Sequence, residues 1–155
     1  MKLLSDLLYD ARILEVRGTT HVAVEHIALD SRKVQPLGLF VAVPGATVDG
    51  HDYIDTAIAS GATCVVCEQM PEDSPDHVTV VQVKSSATAL GHIAAAFHDH
   101  PSREMKVVAV TGTNGKTTTV SLLHQLFRLL DRKVGMLGTV ENRIVDRVVP
   151  ATHTT

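Results

Sequence analysis

The 155-residue sequence carries 14 Lys and Arg against 17 Asp and Glu, a formal net charge of −3, and no Trp. That balance, with 3% aromatic residues and no basic run, argues against a nucleic-acid surface, while 45% hydrophobic residues describe an aliphatic α/β core. A chain of this length is one ordinary domain or two small ones, and when compact it buries roughly 68–70% of its unfolded surface.

At the amino terminus Ser5 and Asp6 interrupt Leu3-Leu4 and Leu7-Leu8 too early for a signal-peptide core, and no apolar run approaches the length of a membrane span. The expectation is a soluble, cytoplasmic monomer that engages neither membrane nor nucleic acid. Leu3, Leu4, Leu7 and Leu8 suggest a short amphipathic helix. Val22-Ala23-Val24 and Ile27-Ala28-Leu29 read as strands, and Asp30-Ser31-Arg32-Lys33-Val34 follows them. From the residues alone this segment is a solvated turn, although its hydroxyl and charges could serve hydrogen bonding at a sheet edge.

Gly38 to Val43 is the next apolar run, closed by Pro44-Gly45. After Asp49-Gly50-His51-Asp52 a helix is expected from Tyr53 to Ser60, ended by Gly61 in the left-handed conformation. Cys64 and Cys67 have C-x-x-C spacing, but they lie in the strand-like Ala62 to Cys67, where residues three apart face opposite sides. No second Cys/His pair is present to complete a zinc site, so both are expected to be packed thiols.

Met70 to Asp76 reads as a surface connection and Val78 to Val83 as a strand. Ser85 or Ser86 caps a helix with Ala87, Leu90, Ile93 or Ala94, and Phe97 on one face. His98 to Arg103, containing Pro101, breaks that helix and marks a domain boundary. His98 and His100 read as a polar helix end, since no other ligand cluster accompanies them.

Val107 to Val110 has the β-branched apolar character of a parallel strand buried on both faces, and Thr111-Gly112-Thr113-Asn114-Gly115-Lys116-Thr117-Thr118-Thr119 follows it. Glycines let backbone N–H groups close around phosphate oxygens, and the following helix start adds partial positive charge. Lys116 can reach the β- and γ-phosphates, and the Thr117 hydroxyl can ligate a bridging magnesium ion. The match to G-x-x-x-x-G-K-[ST] is imperfect, because Val110 stands five positions before Gly115. Position between strand and helix nevertheless makes the motif specific. Val120, Leu123, Phe127 and Leu130 are expected to share the packed face of the helix, and Lys133 to Thr139 to complete a βαβ unit. Neither Glu141 nor Asp146 ends an apolar strand, so neither is assigned to a metal.

Taken together, Leu29 to Val34, Gly38 to Gly45 with Asp49-Gly50-His51, and Thr111 to Thr119 resemble the Mur ligase family, ATP-dependent enzymes that lengthen the peptidoglycan precursor peptide. The segment Met136 to Val140 followed by Pro150 to Thr155 resembles the members that add meso-diaminopimelate or L-lysine to UDP-N-acetylmuramoyl-L-alanyl-D-glutamate. The resemblance implies a small N-terminal α/β UDP-binding domain over residues 1–102, followed over 103–155 by the truncated start, a βαβ unit, of a P-loop Mur-ligase central domain. It further implies that Leu29, Ser31, Ala46, Thr47 and Val48 hold the UDP part of the substrate. His153, Thr154 and Thr155 would meet the muramoyl-peptide portion. Gly112, Thr113, Asn114, Gly115, Lys116, Thr117 and Thr118 would bind ATP, with Lys116 acting on the phosphates and Thr117 on Mg2+. A carbamylated lysine, further magnesium ligands and an amino-acid-binding domain would lie elsewhere, and this segment alone would be inactive. The D-alanyl-D-alanine-adding relatives are the alternative within the family; a non-enzymatic nucleotide-binding module is the alternative outside it.

Overall fold

The computed structural model describes residues 1–45 and 48–151. The chain divides into two compact units, Met1–Lys106 and Val107–Thr155.

In the first unit, β1 (Lys2–Leu3) pairs antiparallel with β3 (Ala23–Val24), and between them lie α1 (Leu4–Leu7) and β2 (Ile13–Arg17). The central sheet contains β2, β4 (His26–Ala28), β5 (Gly38–Val41), β6 (Ala62–Cys67) and β7 (Thr79–Val83) in the order β2-β7-β6-β5-β4. Strands β4 to β7 run parallel, whereas β2 joins β7 antiparallel. The mixed sheet is covered on both faces, which explains why β5 and β6 are near-continuous apolar runs rather than alternating ones.

The alternation of side chains divides the core in two. Leu39, Val41, Cys64, Val66, Val81 and Val83 pack on one face with Leu4, Leu7, Ala89 and Ile93, from α1 and from α3 (Ser86–Phe97). Phe40, Ala42, Val65, Cys67 and Val80 pack on the other with Ile54 and Ala57 of α2 (Ile54–Ala59). Of the two serines expected to cap α3, Ser85 does so, its hydroxyl accepting from Thr88 N–H at 3.3 Å. Its packed face is Ser86, Ala89 and Ile93, flanked by Leu90 and Phe97; Ala87, expected on it, is exposed. Gly61 ends the α2 segment with φ +108°.

The second unit departs from the βαβ expectation. Residues 106–110 form no strand, and Val107 and Val108 are each 69% exposed. A parallel strand requires hydrogen-bonded neighbours, and among the described residues nothing pairs with this one. The helix α4 (Lys116–Leu129) leads instead into a three-stranded antiparallel sheet of β8 (Gly135–Leu137), β9 (Glu141–Ile144) and β10 (Arg147–Pro150) in the order β10-β9-β8. The packed face of α4 also differs from expectation. Val120, Ser121, Leu123, His124 and Arg128 are buried or half-buried, while Phe127 and Leu130 are exposed.

Candidate functional site

Two groups of expected site residues lie in separate units. In the first, the residues follow the carboxyl ends of adjacent parallel strands, the edge where open α/β sheets place ligands. After β4, Asp30 caps a 3-10 turn over Ser31–Lys33 by accepting from Arg32 N–H at 3.1 Å. The Arg32 guanidinium also closes on the Asp30 carboxylate, at 2.9 and 2.8 Å, and these bonds hold the carboxyl down at about 2. The turn buries Ser31 and leaves Leu29 exposed. Ser31 is therefore not the solvated turn residue that composition alone suggests.

After β5, Pro44 and Asp49 form an isolated antiparallel bridge, Gly45 N–H donates to Val48 C=O at 3.0 Å, and the Val48 side chain is exposed. Ala46 and Thr47 lie outside the described residues, as do His153, Thr154 and Thr155. Asp49 caps a second 3-10 turn, accepting from His51 N–H at 2.9 Å, and its Oδ1 lies 2.6 Å from His51 Nδ1. The backbone bond and then the imidazole keep this carboxyl below its ordinary value. The opposite ring nitrogen, Nε2, accepts from Glu68 N–H at 2.8 Å, just past the end of β6. Glu68 Oε1 in turn accepts from Ser86 N–H at 2.8 Å and from the Ser86 hydroxyl at 3.0 Å. The Asp49-Gly50-His51 signature stands out in the sequence, but the role of His51 does not, since its partner Glu68 is 17 residues away.

In the second unit, α4 opens at Lys116 behind Gly115, which caps it with φ +80° and no side-chain bond. A left-handed cap without a side-chain acceptor leaves the first-turn N–H groups of this 14-residue helix directed at solvent. Lys116 Nζ donates to the carbonyl of Gly112 and lies 3.4 Å from that of Thr113, so the loop wraps its own ammonium group. Residues 111–119 are exposed throughout. Exposed amides and one ammonium are donors that fit a phosphate chain, and the exposed Thr117 offers a hydroxyl oxygen suited to its magnesium ion.

Two surface grooves contain none of these residues. One, of about 360 Å³, is lined by Asp6, Tyr9, Asp10, His92, His100 and Arg103 among others. The other, of about 480 Å³ in the second unit, is lined by His124, Arg128, Arg143 and Asp146. Its cations are already engaged, Arg128 with Asp146 and Arg143 Nε with Glu141 at 2.7 Å. His124 Nε2 is buried there without a hydrogen-bond partner among the described residues. Among the described residues no group of His, Cys, Asp and Glu is arranged to hold a metal, and no helix is long and apolar enough to cross a membrane.

Two family models match the chain in succession, the Mur ligase family catalytic domain over residues 23–98 and the Mur ligase middle domain over 110–155. The chain belongs to the Mur ligase family. Among curated Mur ligases it is 54% identical, over 98% of its length, to UDP-N-acetylmuramoyl-L-alanyl-D-glutamate--2,6-diaminopimelate ligase of Cytophaga hutchinsonii. It is 42% identical, over 99%, to the ligase of the same name from Bacteroides thetaiotaomicron. The chain spans 32% of each, about a third of the length of the relatives it matches. A solved ligase of that name superposes with TM-score 0.72 over 96% of this chain and 30% of its own, at 20% identity, which shows the shared fold. MurF of Thermotoga maritima, solved in complex with ADP, is 32% identical with TM-score 0.54, over 83% of this chain and 25% of its own.

Proposed function

We propose that this chain is the uridine-substrate domain and the ATP-binding start of a Mur ligase that adds meso-diaminopimelate, or L-lysine, to UDP-N-acetylmuramoyl-L-alanyl-D-glutamate. The observation that carries the reading is 54% identity across 98% of the chain to a ligase named for the diaminopimelate reaction. Residues 1–102 form the uridine domain, and 103–155 begin the central domain. In this reading Leu29, Ser31 and the 46–48 segment take the uridine end, and His153, Thr154 and Thr155 the muramoyl peptide. Gly112 to Thr118 take the ATP phosphates, a placement supported by the open helix start at Lys116 and by the ADP complex of the Thermotoga maritima relative.

The chemistry is phosphorylation of the substrate's D-glutamate carboxylate by ATP, followed by attack of the incoming amine on the acyl phosphate. Mg2+, held in part by Thr117, would neutralise phosphate charge. Lys116 would exchange its loop carbonyls for phosphate oxygens, and the helix start would supply oriented N–H donors, so this segment positions the γ-phosphate electrostatically. Residues of the remaining two thirds of such a ligase would select the amino acid and complete the reaction.

Titration calorimetry of the 155-residue chain with UDP tests the reading. Binding in the millimolar range or tighter is expected, weakened by Ser31→Ala. No heat at several millimolar UDP from the folded chain would reject it. A stop codon directly after Thr155 in the source gene would favour the stand-alone nucleotide-binding module instead.

A further inference from the structure

We infer that His51 is a positioning residue, whose imidazole fixes the backbone at Gly45, Val48 and Asp49 against the end of β6 and the start of α3; its link to substrate rests on the uridine reading above. The segment is first closed on itself by the Pro44–Asp49 bridge and the Gly45–Val48 bond. Its base is then pinned by Gly50 N–H donating to Val43 C=O at 3.1 Å. The approach is so close that a Cβ on Gly50 would lie 2.7 Å from Val43 N, which only glycine avoids.

These bonds shape the segment but do not tie it to the rest of the unit. His51 does. Glu68 N–H can only donate, so His51 Nε2 must be the acceptor and the ring proton must sit on Nδ1, facing Asp49. One neutral imidazole therefore spans from the Asp49 carboxylate to the backbone beyond β6. Glu68 extends the tie through its carboxylate to Ser86. The relay runs along the same edge as Ser31 and Val48, at the ends of β4, β5 and β6. A group placed there sets the geometry of the edge without touching a ligand, as outer-shell partners do for binding residues elsewhere.

Two substitutions separate the two bonds. His51→Gln keeps an acceptor within reach of Glu68 N–H and loses the donor to Asp49; His51→Asn does the reverse. Amide hydrogen exchange and UDP titration are read on the 155-residue chain. Both variants are expected to speed exchange at Gly45 and Gly50 at least tenfold, to leave the amides of β6 and β7 unchanged, and to weaken UDP at least fivefold. Unchanged exchange at Gly45 and Gly50 would overturn the inference. Equal acceleration across the core strands, or loss of the folded state in both variants, would show a general fold role and overturn it too. If the wild-type chain binds no UDP, the uridine reading fails while the exchange data still decide the role of His51.

Discussion

Cys64 and Cys67 stand three residues apart on one strand and look into different cores, Cys64 toward Leu39 and Ile93, Cys67 toward Phe40 and Ala57. Alternation along a strand forbids them from facing one another, so the C-x-x-C spacing here joins two thiols that cannot meet. Burial raises both, Cys67 to about 11.

A pH dependence follows from that shift. An unfolded cysteine ionises near its ordinary 9.0, before the folded Cys67 does at about 11. Between those values the unfolded chain has given up a proton that the folded chain keeps, so stability falls as pH rises through that window and is unaffected below it. Urea midpoints at pH 8 and pH 10.5 should therefore drop further in the wild type than in Cys67→Ala. Parallel drops would contradict the assignment.

Lys116→Ala should weaken nucleotide binding in a ligase of the relatives' full length that carries this segment. Removing one charge-assisted contact to a phosphate costs on the order of 1.5–3 kcal/mol, about ten- to a hundredfold in affinity. Calorimetry with ATP and magnesium reads it; equal affinities would rule out Lys116 as a phosphate ligand.

Protection against amide exchange should be uneven along the 155-residue chain. Phe40 to Val43 and Val78 to Val83 lie in or beside the doubly covered sheet, whereas Val107 and Val108 have no ladder partner among the described residues and Leu122, Leu126 and Leu129 are exposed. Slow exchange is expected in the first group and fast exchange at 107–110 and 122–130. Equally strong protection in both would mean that the second unit is held together by interactions other than those described.

His124→Leu should stabilise the second unit. Nε2 of His124 is buried without a partner among the described residues, and an unsatisfied buried polar atom costs roughly 1–3 kcal/mol. Exchange at residues 121–128 should slow by about tenfold or more. If exchange accelerates instead, the imidazole has a partner in solution and the groove around it is wet.

What could be read from the residues depended on how local the determining contacts are. Strands β5, β6 and β7 carry their signal within themselves, because a strand covered on both faces is predominantly apolar, broken here only by Thr63, Thr79 and Gln82. The start of α4 was legible for the same reason, since Gly115, Lys116 and Thr117 need only one another. The strand Ile13–Arg17 carries no such signal, because all five residues are exposed and no buried alternation marks it. The hairpin of β9 and β10 turns through Val145 and Asp146, with Val145 at φ +56°, where glycine or asparagine would have announced it. Val107 to Val110 misled in the opposite way: the composition of a buried strand does not supply the neighbours that make one. Of the first unit's edge, the burial of Ser31 was not legible among its polar neighbours, and the bonds of His51 stayed hidden because a backbone N–H at Glu68 leaves no trace in sequence.

The antiparallel strand β2 ends the main sheet, and it gives that border an unwelcoming character. Its outward N–H and C=O groups are the kind that recruit a foreign strand, yet its pairing with β7 slips between Ile13 and Glu15, and Glu15 and Arg17 put opposite charges at its middle and its end. The guanidinium of Arg17 is moreover drawn aside to the Pro71 carbonyl at 3.0 Å. An irregular margin that carries both signs of charge is a poorer template for stacking copy upon copy than a flat and regular one, and it offsets the exposed Ile13, Leu14 and Val16 that share the same border.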